Sequence, residues 1–195
     1  NSASKYHHNR LASNLLTQLQ LLDQLTTQYC AGAEKLAGLN EQFSLTYLTW
    51  LELSAVVTGP MLINNTVRQI DFRPLRVNLL ERAVQKQPVG AEQMALVGSP
   101  AKGFPAYEYL LTQPSFKPAT AQCAYAREVV QDLVRVVREL KWTPVENLAG
   151  DEDEQASALR ADMQLYFNQL VGAVHNLAWE RMEKSMLKAR DEVAA

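Results

Sequence analysis

The feature that most constrains this chain is the spacing of its apolar residues, which recur every three or four positions over long stretches. The clearest set, expected on one face of a long first helix, is Leu15, Leu19, Leu22, Tyr29, Ala33 and Leu36. The alternation of apolar and polar residues that is typical of β-strands is not sustained anywhere in the sequence. The spacing therefore predicts an all-α protein, folded as an up-and-down helical bundle with short to medium connections.

Glycine, proline and asparagine divide this pattern into separate helices, because these residues punctuate helical segments. The first helix is expected to end at Gly38 and Asn40. The later helices are predicted over residues 43–57, 74–87 and 105–112, from just after Pro118 to Leu140, and over 159–177. Residues 1–195 are expected to form a single helical-bundle domain.

Composition excludes several classes of function. The chain has 195 residues, of which 47% are hydrophobic, so it can bury a core of substantial size. Its 19 basic and 21 acidic residues give a net charge of −2, and no basic run occurs, so nucleic acid is not an expected partner. No apolar stretch approaches the ~20 residues that cross a bilayer, so no transmembrane segment is predicted.

Residues 101–111 have the pattern of a loop that enters a helix and places one carboxylate near its start. Gly103 permits a backbone turn that a residue with a Cβ atom would resist. Pro105 suits the beginning of a helix, where its missing N–H group costs nothing. Glu108 follows in or just after the first turn, where the helix dipole favours a negative charge. The segment is either a well-formed helix start or one wall of a functional cleft.

This segment resembles the signature of the imelysin family, because Gly-x-Pro-x-x-Glu over residues 103–108 stands where family members carry Gly-x-His-x-x-Glu. Other similar residues follow in the same order and spacing; they are Trp50, Gly59-Pro60, residues 70–74, residues 96–98, Cys123 and Tyr125. The resemblance begins near Leu22 and covers the N-terminal half of a family member.

The resemblance implies a bacterial exported protein with two helical-bundle domains, of which residues 1–195 are the first. It places the protein in the periplasm or at the outer membrane, with a signal segment or a lipoprotein anchor removed from the start. Several family members are linked to iron regulation or uptake, and the best-known member is an insulin-cleaving metallopeptidase.

A histidine and a glutamate three residues apart share one helix face and can bind one metal ion. Pro105 removes that histidine, which leaves Glu108 as the one candidate ligand, for iron or zinc. His7 and His8 are interpreted as part of a frayed N-terminus, and His175 as a partly buried side chain in the last predicted helix. No HExxH motif occurs. No catalytic residue is assigned.

Opposite charges at Asp71 and Arg73 lie in a loop before a predicted helix, where they either anchor the loop or face a cleft. If a cleft exists, the residues expected at it are Asp71, Arg73, Lys102, Gly103, Tyr107 and Glu108. The acidic run over 151–154 lacks the alternation and the glycine of an EF-hand loop, so it is interpreted as a complement to a helix dipole.

The two cysteines, Cys30 and Cys123, lack CxxC spacing, which excludes a zinc-type cluster. Both fall on predicted helices, so they form either a disulfide in an oxidising compartment or two buried thiols.

Three hypotheses for the function follow. The first is a non-enzymatic exported protein that binds a ligand or an exported protein partner in connection with iron or another metal. The second is an imelysin-type metallopeptidase that combines Glu108 with residues from a missing second half. The third is a structural module whose helix faces bind another protein. The absence of the signature histidine favours the first, and enzymatic activity is therefore not expected.

Overall fold

The computed structural model describes residues 2–55, 61, 64–140, 164, 167, 168, 171, 172 and 174, with side chains from residue 6 onward. The helices with defined bounds are α1 (Ser2–Cys30), α2 (Leu36–Ser54), α3 (Thr66–Ile70), α4 (Val77–Lys86), α5 (Gly90–Ala95), α6 (Gly103–Thr112) and α7 (Ala121–Arg138). A 3₁₀ turn at Ser99–Ala101 precedes α6. No strand occurs in the described residues, and the all-α prediction is confirmed.

The chain divides into two compact units. One comprises Ser2–Ser54 together with Gly59–Trp142, and it contains all of the helices with defined bounds. The other comprises residue 1, residues 55–58 and residues 143–195. The single domain over residues 1–195 stays a prediction, and the predicted helix over 159–177 lies largely outside the described residues.

The core of the larger unit is built around α1, which packs along both α2 and α7. Its buried face carries Leu11, Leu15, Leu19 and Leu22. Helix α6 packs on α7 and reaches α2, so the signature segment is enclosed by the bundle rather than attached to its surface. The members of the predicted first-helix set up to Tyr29 are thus buried against neighbouring helices, whereas Ala33, which lies beyond the end of α1, is exposed.

The prediction that the first helix continues to Gly38 and Asn40 is wrong. Helix α1 ends at Cys30, because Gly32 has a φ of 80° and its N–H donates to the Tyr29 carbonyl at 2.8 Å. The N–H of Ala33 donates to the Gln28 carbonyl at 2.8 Å, which completes a Schellman ending. Leu36 therefore opens the next helix instead of extending the first.

The ends of α1 and α7 are joined covalently. Cys30 is the last residue of α1, Cys123 lies in the first turn of α7, and the structure links them as a disulfide with their Cα atoms 5.7 Å apart. The Ala119 N–H also donates to the Cys30 carbonyl at 3.1 Å. The hydroxyl of Thr120 caps α7 by accepting from the Cys123 N–H at 3.3 Å.

Candidate functional site

The site begins with a close approach between two backbone segments. Gly103, the first residue of α6, has a φ of 78° and lies against the carbonyl of Ile70, the last residue of α3. A Cβ atom at this position would lie 2.8 Å from the Ile70 carbonyl carbon, a distance that real Cβ atoms do not tolerate. Glycine is therefore required for the loop after α3 to meet the start of α6.

Asp71, the residue after α3, is an acceptor for side chains from two segments. Its Oδ2 accepts from the Trp50 indole at 3.0 Å and from the Tyr47 hydroxyl at 3.2 Å, both on α2. Its Oδ1 accepts from Nε of Arg73 at 3.0 Å. The bonds from Trp50 and Tyr47 hold the loop after α3 against α2, and the bond from Arg73 fixes that side chain beside the same largely buried carboxylate.

Arg73 lies between the two carboxylates of the site. Its Nη2 donates to Oε2 of Glu108 at 3.2 Å and to the Tyr47 hydroxyl at 3.0 Å, while its Nε donates to Asp71. The guanidinium carbon also lies 5.5 Å from the centre of the Tyr47 ring, within the range of a cation–π contact. We call Tyr47, Trp50, Asp71, Arg73 and Glu108 the signature cluster.

Burial and the neighbouring charges of the signature cluster raise the pKa values of Tyr47 and Arg73. Burial raises the pKa of the Tyr47 hydroxyl, and the adjacent Asp71 carboxylate raises it further. Burial alone would lower the pKa of Arg73, but the charge of Asp71 and the hydrogen bonds to Glu108 and Tyr47 outweigh it, so that pKa is raised. At neutral pH the cluster therefore contains a neutral phenol and a firmly protonated guanidinium.

The side chains of the cluster become more exposed from the core outward. Trp50 is fully buried, and the Asp71 side chain is 12% exposed. The side chains of Arg73 and Glu108 are 46% and 48% exposed. The buried end of the cluster is thus suited to holding structure, while the outer pair offers a cation and an anion to solvent.

Two of the residues that sequence predicted at this cleft lie elsewhere. The Tyr107 side chain is fully buried, and its hydroxyl is 2.7 Å from that of Thr26 on α1. The Nζ of Lys102 contacts Asp132 of α7 and the Met94 carbonyl, each at 3.0 Å. The structure therefore brings together Asp71, Arg73 and Glu108, with Gly103 behind them, and directs Lys102 and Tyr107 into the bundle.

Tyr47 and Trp50 belong to the cluster, although neither was among the residues expected at the cleft. The signal that could have found them is chemical: a buried tyrosine or tryptophan needs an acceptor for its O–H or N–H group. The acceptor for both groups is Asp71, in the loop that follows α3.

Comparison with known proteins identifies the family. The model of the imelysin peptidase family matches residues 7–194, almost the whole chain. The chain belongs to the imelysin family. No curated protein matches it.

An imelysin-like protein from Psychrobacter arcticum 273-4 has a similar solved structure, with a TM-score of 0.66 and 20% sequence identity. The similarity covers 86% of this chain and 56% of that one. The chain therefore spans little more than half the length of that imelysin-like protein, and the likeness concerns the fold.

Pro105, which the resemblance sets at the position of the signature histidine, is buried near the start of α6. Pro105 is the third residue of α6, not the first as predicted, yet its missing N–H group still falls among those that a helix start leaves unpaired. Glu108 lies one turn further, on the same helix face as Pro105. Glu108 is partly exposed, and the charged partner that the structure gives it is Arg73.

The described residues do not fit a metal ion. No three histidine, cysteine, aspartate or glutamate side chains cluster within the described ranges. The two carboxylates of the signature cluster both accept from Arg73, which occupies the space between them. A zinc ion would need three protein ligands in place of that cation. His175 and the acidic run over 151–154 lie outside the described residues.

Proposed function

We propose that this chain is the binding part of an exported imelysin-family protein, which holds a ligand or a protein partner at the signature cluster without peptidase catalysis. The role we propose for that binding is in iron or metal uptake or its regulation. The observation that carries the proposal is the position of Arg73, whose guanidinium pairs with both Asp71 and Glu108.

A guanidinium between two carboxylates opposes metal chemistry at this position. A cation that approached Glu108 would meet the charge of Arg73 at close range, and Arg73 stays protonated at any physiological pH. Moving Arg73 away would leave the largely buried Asp71 carboxylate without its charge partner. The cluster is therefore more stable as an ion-pair network than as a ligand set for iron or zinc.

The outer edge of the same cluster is suited to recognition. Nη1 of Arg73 has no hydrogen-bond partner within the described residues, and Glu108 is half exposed beside it. A planar donor held in place by a ring and two carboxylates loses little freedom when it binds a polar group. The cluster presents a fixed donor and a fixed acceptor side by side.

Export is supported by two observations. Members of the imelysin family are typically exported. The disulfide between Cys30 and Cys123 is typical of proteins that fold in an oxidising compartment. No helix in the described ranges combines the length and hydropathy needed to cross a bilayer.

Calorimetric titration of Fe(II), Fe(III) and Zn(II) into metal-free protein tests the proposal. We expect no stoichiometric binding that depends on Glu108, so the wild type and Glu108→Ala should give the same isotherms. Glu41→Ala, which changes an exposed glutamate on α2, is the matched control. Stoichiometric binding that is lost in Glu108→Ala and kept in Glu41→Ala would replace the proposal with a metal site.

An imelysin-type metallopeptidase is the second candidate, favoured by one observation. Glu108 is half exposed, and the similar solved structure extends well beyond this chain, so a second half could supply further ligands. Hydrolysis of insulin by the full-length protein, with and without a chelator, separates the two. Hydrolysis that needs both the metal and Glu108 would favour the peptidase. No hydrolysis, with or without the chelator, favours the binding role.

A further inference from the structure

A cavity of about 480 Å³ lies away from the signature cluster, between α4 and the segment that leads into α6. Its apolar lining comprises Leu79, Ala83, Pro88, Leu96, Val97 and Ala101. Ala83, Pro88 and Ala101 are buried and form its floor, whereas Leu96 is 88% exposed at its mouth. The volume falls within the roughly 300–1,000 Å³ that small-molecule sites occupy.

Backbone hydrogen bonds fix the walls of this cavity. Helix α4 ends at Lys86, the next residue Gln87 has a φ of 48°, and the chain reverses through Gly90, whose φ is 77°. The Gly90 N–H donates to Glu128 of α7 at 2.9 Å, which anchors the start of α5. At the other end, the Arg76 N–H donates to the Pro100 carbonyl at 2.9 Å. The cavity is therefore formed before any ligand arrives.

The charged side chains that line the cavity are both basic. Arg82 and Lys86 both line it, and their spacing places them one turn apart on the same face of α4. No acidic residue lines the cavity, and neither cation forms an ion pair within the described ranges. By contrast, Lys102 and Arg135 nearby both pair with Asp132. An apolar floor beside two uncompensated cations is complementary to an anion with an apolar body.

We propose that this cavity binds a small amphiphilic carboxylate, with the apolar body against Ala83 and Ala101 and the carboxylate between Arg82 and Lys86. Arginine can hold a carboxylate through two parallel hydrogen bonds, and the lysine adds a second charge. The side-chain oxygen of Gln93 is occupied, because it accepts from the Val89 N–H at 2.9 Å. The Gln93 amide nitrogen is a further donor at the cavity, so the charge recognition rests on the two cations and Gln93 can add a neutral hydrogen bond.

Calorimetry with four probes tests this site on the whole chain. Octanoate carries both required parts, acetate lacks the apolar body, and octanol lacks the charge. Acetyl-dileucine carries the same carboxylate at the end of a short peptide. We expect octanoate or acetyl-dileucine to bind at one site, and acetate and octanol to bind at least about tenfold more weakly.

The two sources of the ligand are distinguished by the two amphiphilic probes. Stronger binding of octanoate indicates a free fatty acid, and stronger binding of acetyl-dileucine indicates the carboxyl terminus of a peptide. Either outcome supports the site. Equal affinities for octanoate and octanol, or no binding of either carboxylate, would overturn the proposal.

Exposed positions give matched variants that leave the fold intact. Arg82→Ala with Lys86→Ala should weaken binding by about tenfold or more, whereas Lys35→Ala with Lys117→Ala removes the same charge from other exposed positions and should not. Leu96→Glu should weaken binding, and Leu96→Lys should preserve or strengthen it. Leu48→Glu, which changes an exposed leucine on α2, is the control for Leu96→Glu.

Equal losses in both alanine pairs, or in Leu96→Glu and Leu48→Glu, would reveal a general effect of charge and contradict a specific site. Glu108→Ala should leave binding unchanged, because Glu108 does not line the cavity. This site and the signature cluster can therefore fail independently.

Discussion

The indole nitrogen of Trp50 donates to Oδ2 of Asp71 at 3.0 Å, and Trp50 itself is completely buried. This bond joins the C-terminal part of α2 to the loop that carries Arg73. Because the same carboxylate also pairs with Arg73, the packing of the core and the geometry of the signature cluster depend on one residue.

Replacement of Asp71 by alanine should lower the free energy of unfolding by about 2–4 kcal/mol, because it leaves the Trp50 N–H and the Tyr47 O–H without their acceptor. Asp71→Asn should cost less, since the amide keeps one acceptor oxygen. Urea denaturation followed by tryptophan fluorescence measures both. Glu108→Gln, at the exposed end, should change stability by less than about 1 kcal/mol; an equal loss there would contradict the graded cluster.

Gly103→Ala should be destabilising by about 2–4 kcal/mol, because a Cβ atom would collide with the Ile70 backbone and the φ of 78° disfavours alanine. Gly38→Ala is the matched control with the opposite sign. It lies in the first turn of α2, and its Cβ atom would be 3.0 Å from Oε1 at the far end of the flexible Glu34 side chain, which can turn away. Alanine then favours the helix by about 0.5–1 kcal/mol. Thermal unfolding compares the two, and a stable Gly103→Ala protein would refute the close approach.

Removal of the disulfide by Cys30→Ser with Cys123→Ser should lower the free energy of unfolding by about 4 kcal/mol, because the bridge closes a loop with a sequence separation of 93. Reductant should destabilise the wild type by a similar amount and leave the double variant unchanged. Mass spectrometry after alkylation reports the state of the thiols. Two alkylated cysteines in protein purified under oxidising conditions would show that the bridge does not form.

His8 is not part of a frayed N-terminus as predicted, because it is buried within α1 with its Nε2 2.9 Å from the Leu140 carbonyl. Stability should fall as the pH is lowered from about 7.5 to 5.5, because burial lowers the pKa of His8 below its ordinary value of 6.5. The unfolded chain then binds a proton that the folded chain resists, so the contribution of His8 is present above pH 6.5 and is lost below it. Urea midpoints across this range should show a slope that is shallower in His8→Gln. Burial also raises the pKa of Asp23, so the folded chain binds this proton more tightly than the unfolded chain. At more acidic pH this carboxyl therefore stabilises the fold, which opposes the effect of His8.

Pro105→His introduces a histidine one turn before Glu108, yet it should not create a zinc site by itself. Arg73 still pairs with Glu108, and its charge repels a metal ion. We expect zinc binding by calorimetry to be detectable only when Pro105→His is combined with Arg73→Ala. Stoichiometric zinc binding by the single variant would show that Arg73 does not control the site.

Most of the helical framework could be predicted from sequence, because apolar spacing reports which face of a helix is buried. The end of α1 could not, since the periodic pattern of Ala33 and Leu36 continues across the turn that Gly32 makes. Asp71, Arg73 and Glu108 were found through their resemblance to a family pattern. Lys102 and Tyr107 were misplaced because their partners, Asp132 and Thr26, lie on helices distant in sequence.

The close approach of Gly103 to Ile70 has a consequence for the stretch between them. Arg76 and Pro100 are hydrogen-bonded to each other, so the chain leaves the bundle and returns to it at nearly the same place. Residues 77–99 therefore form a loop that is closed at its base, while its buried residues Leu80 and Met94 belong to the core and Gly90 is anchored to α7. Changes at its exposed positions, such as Val89 and Leu96, should therefore leave Asp71 and Glu108 in place.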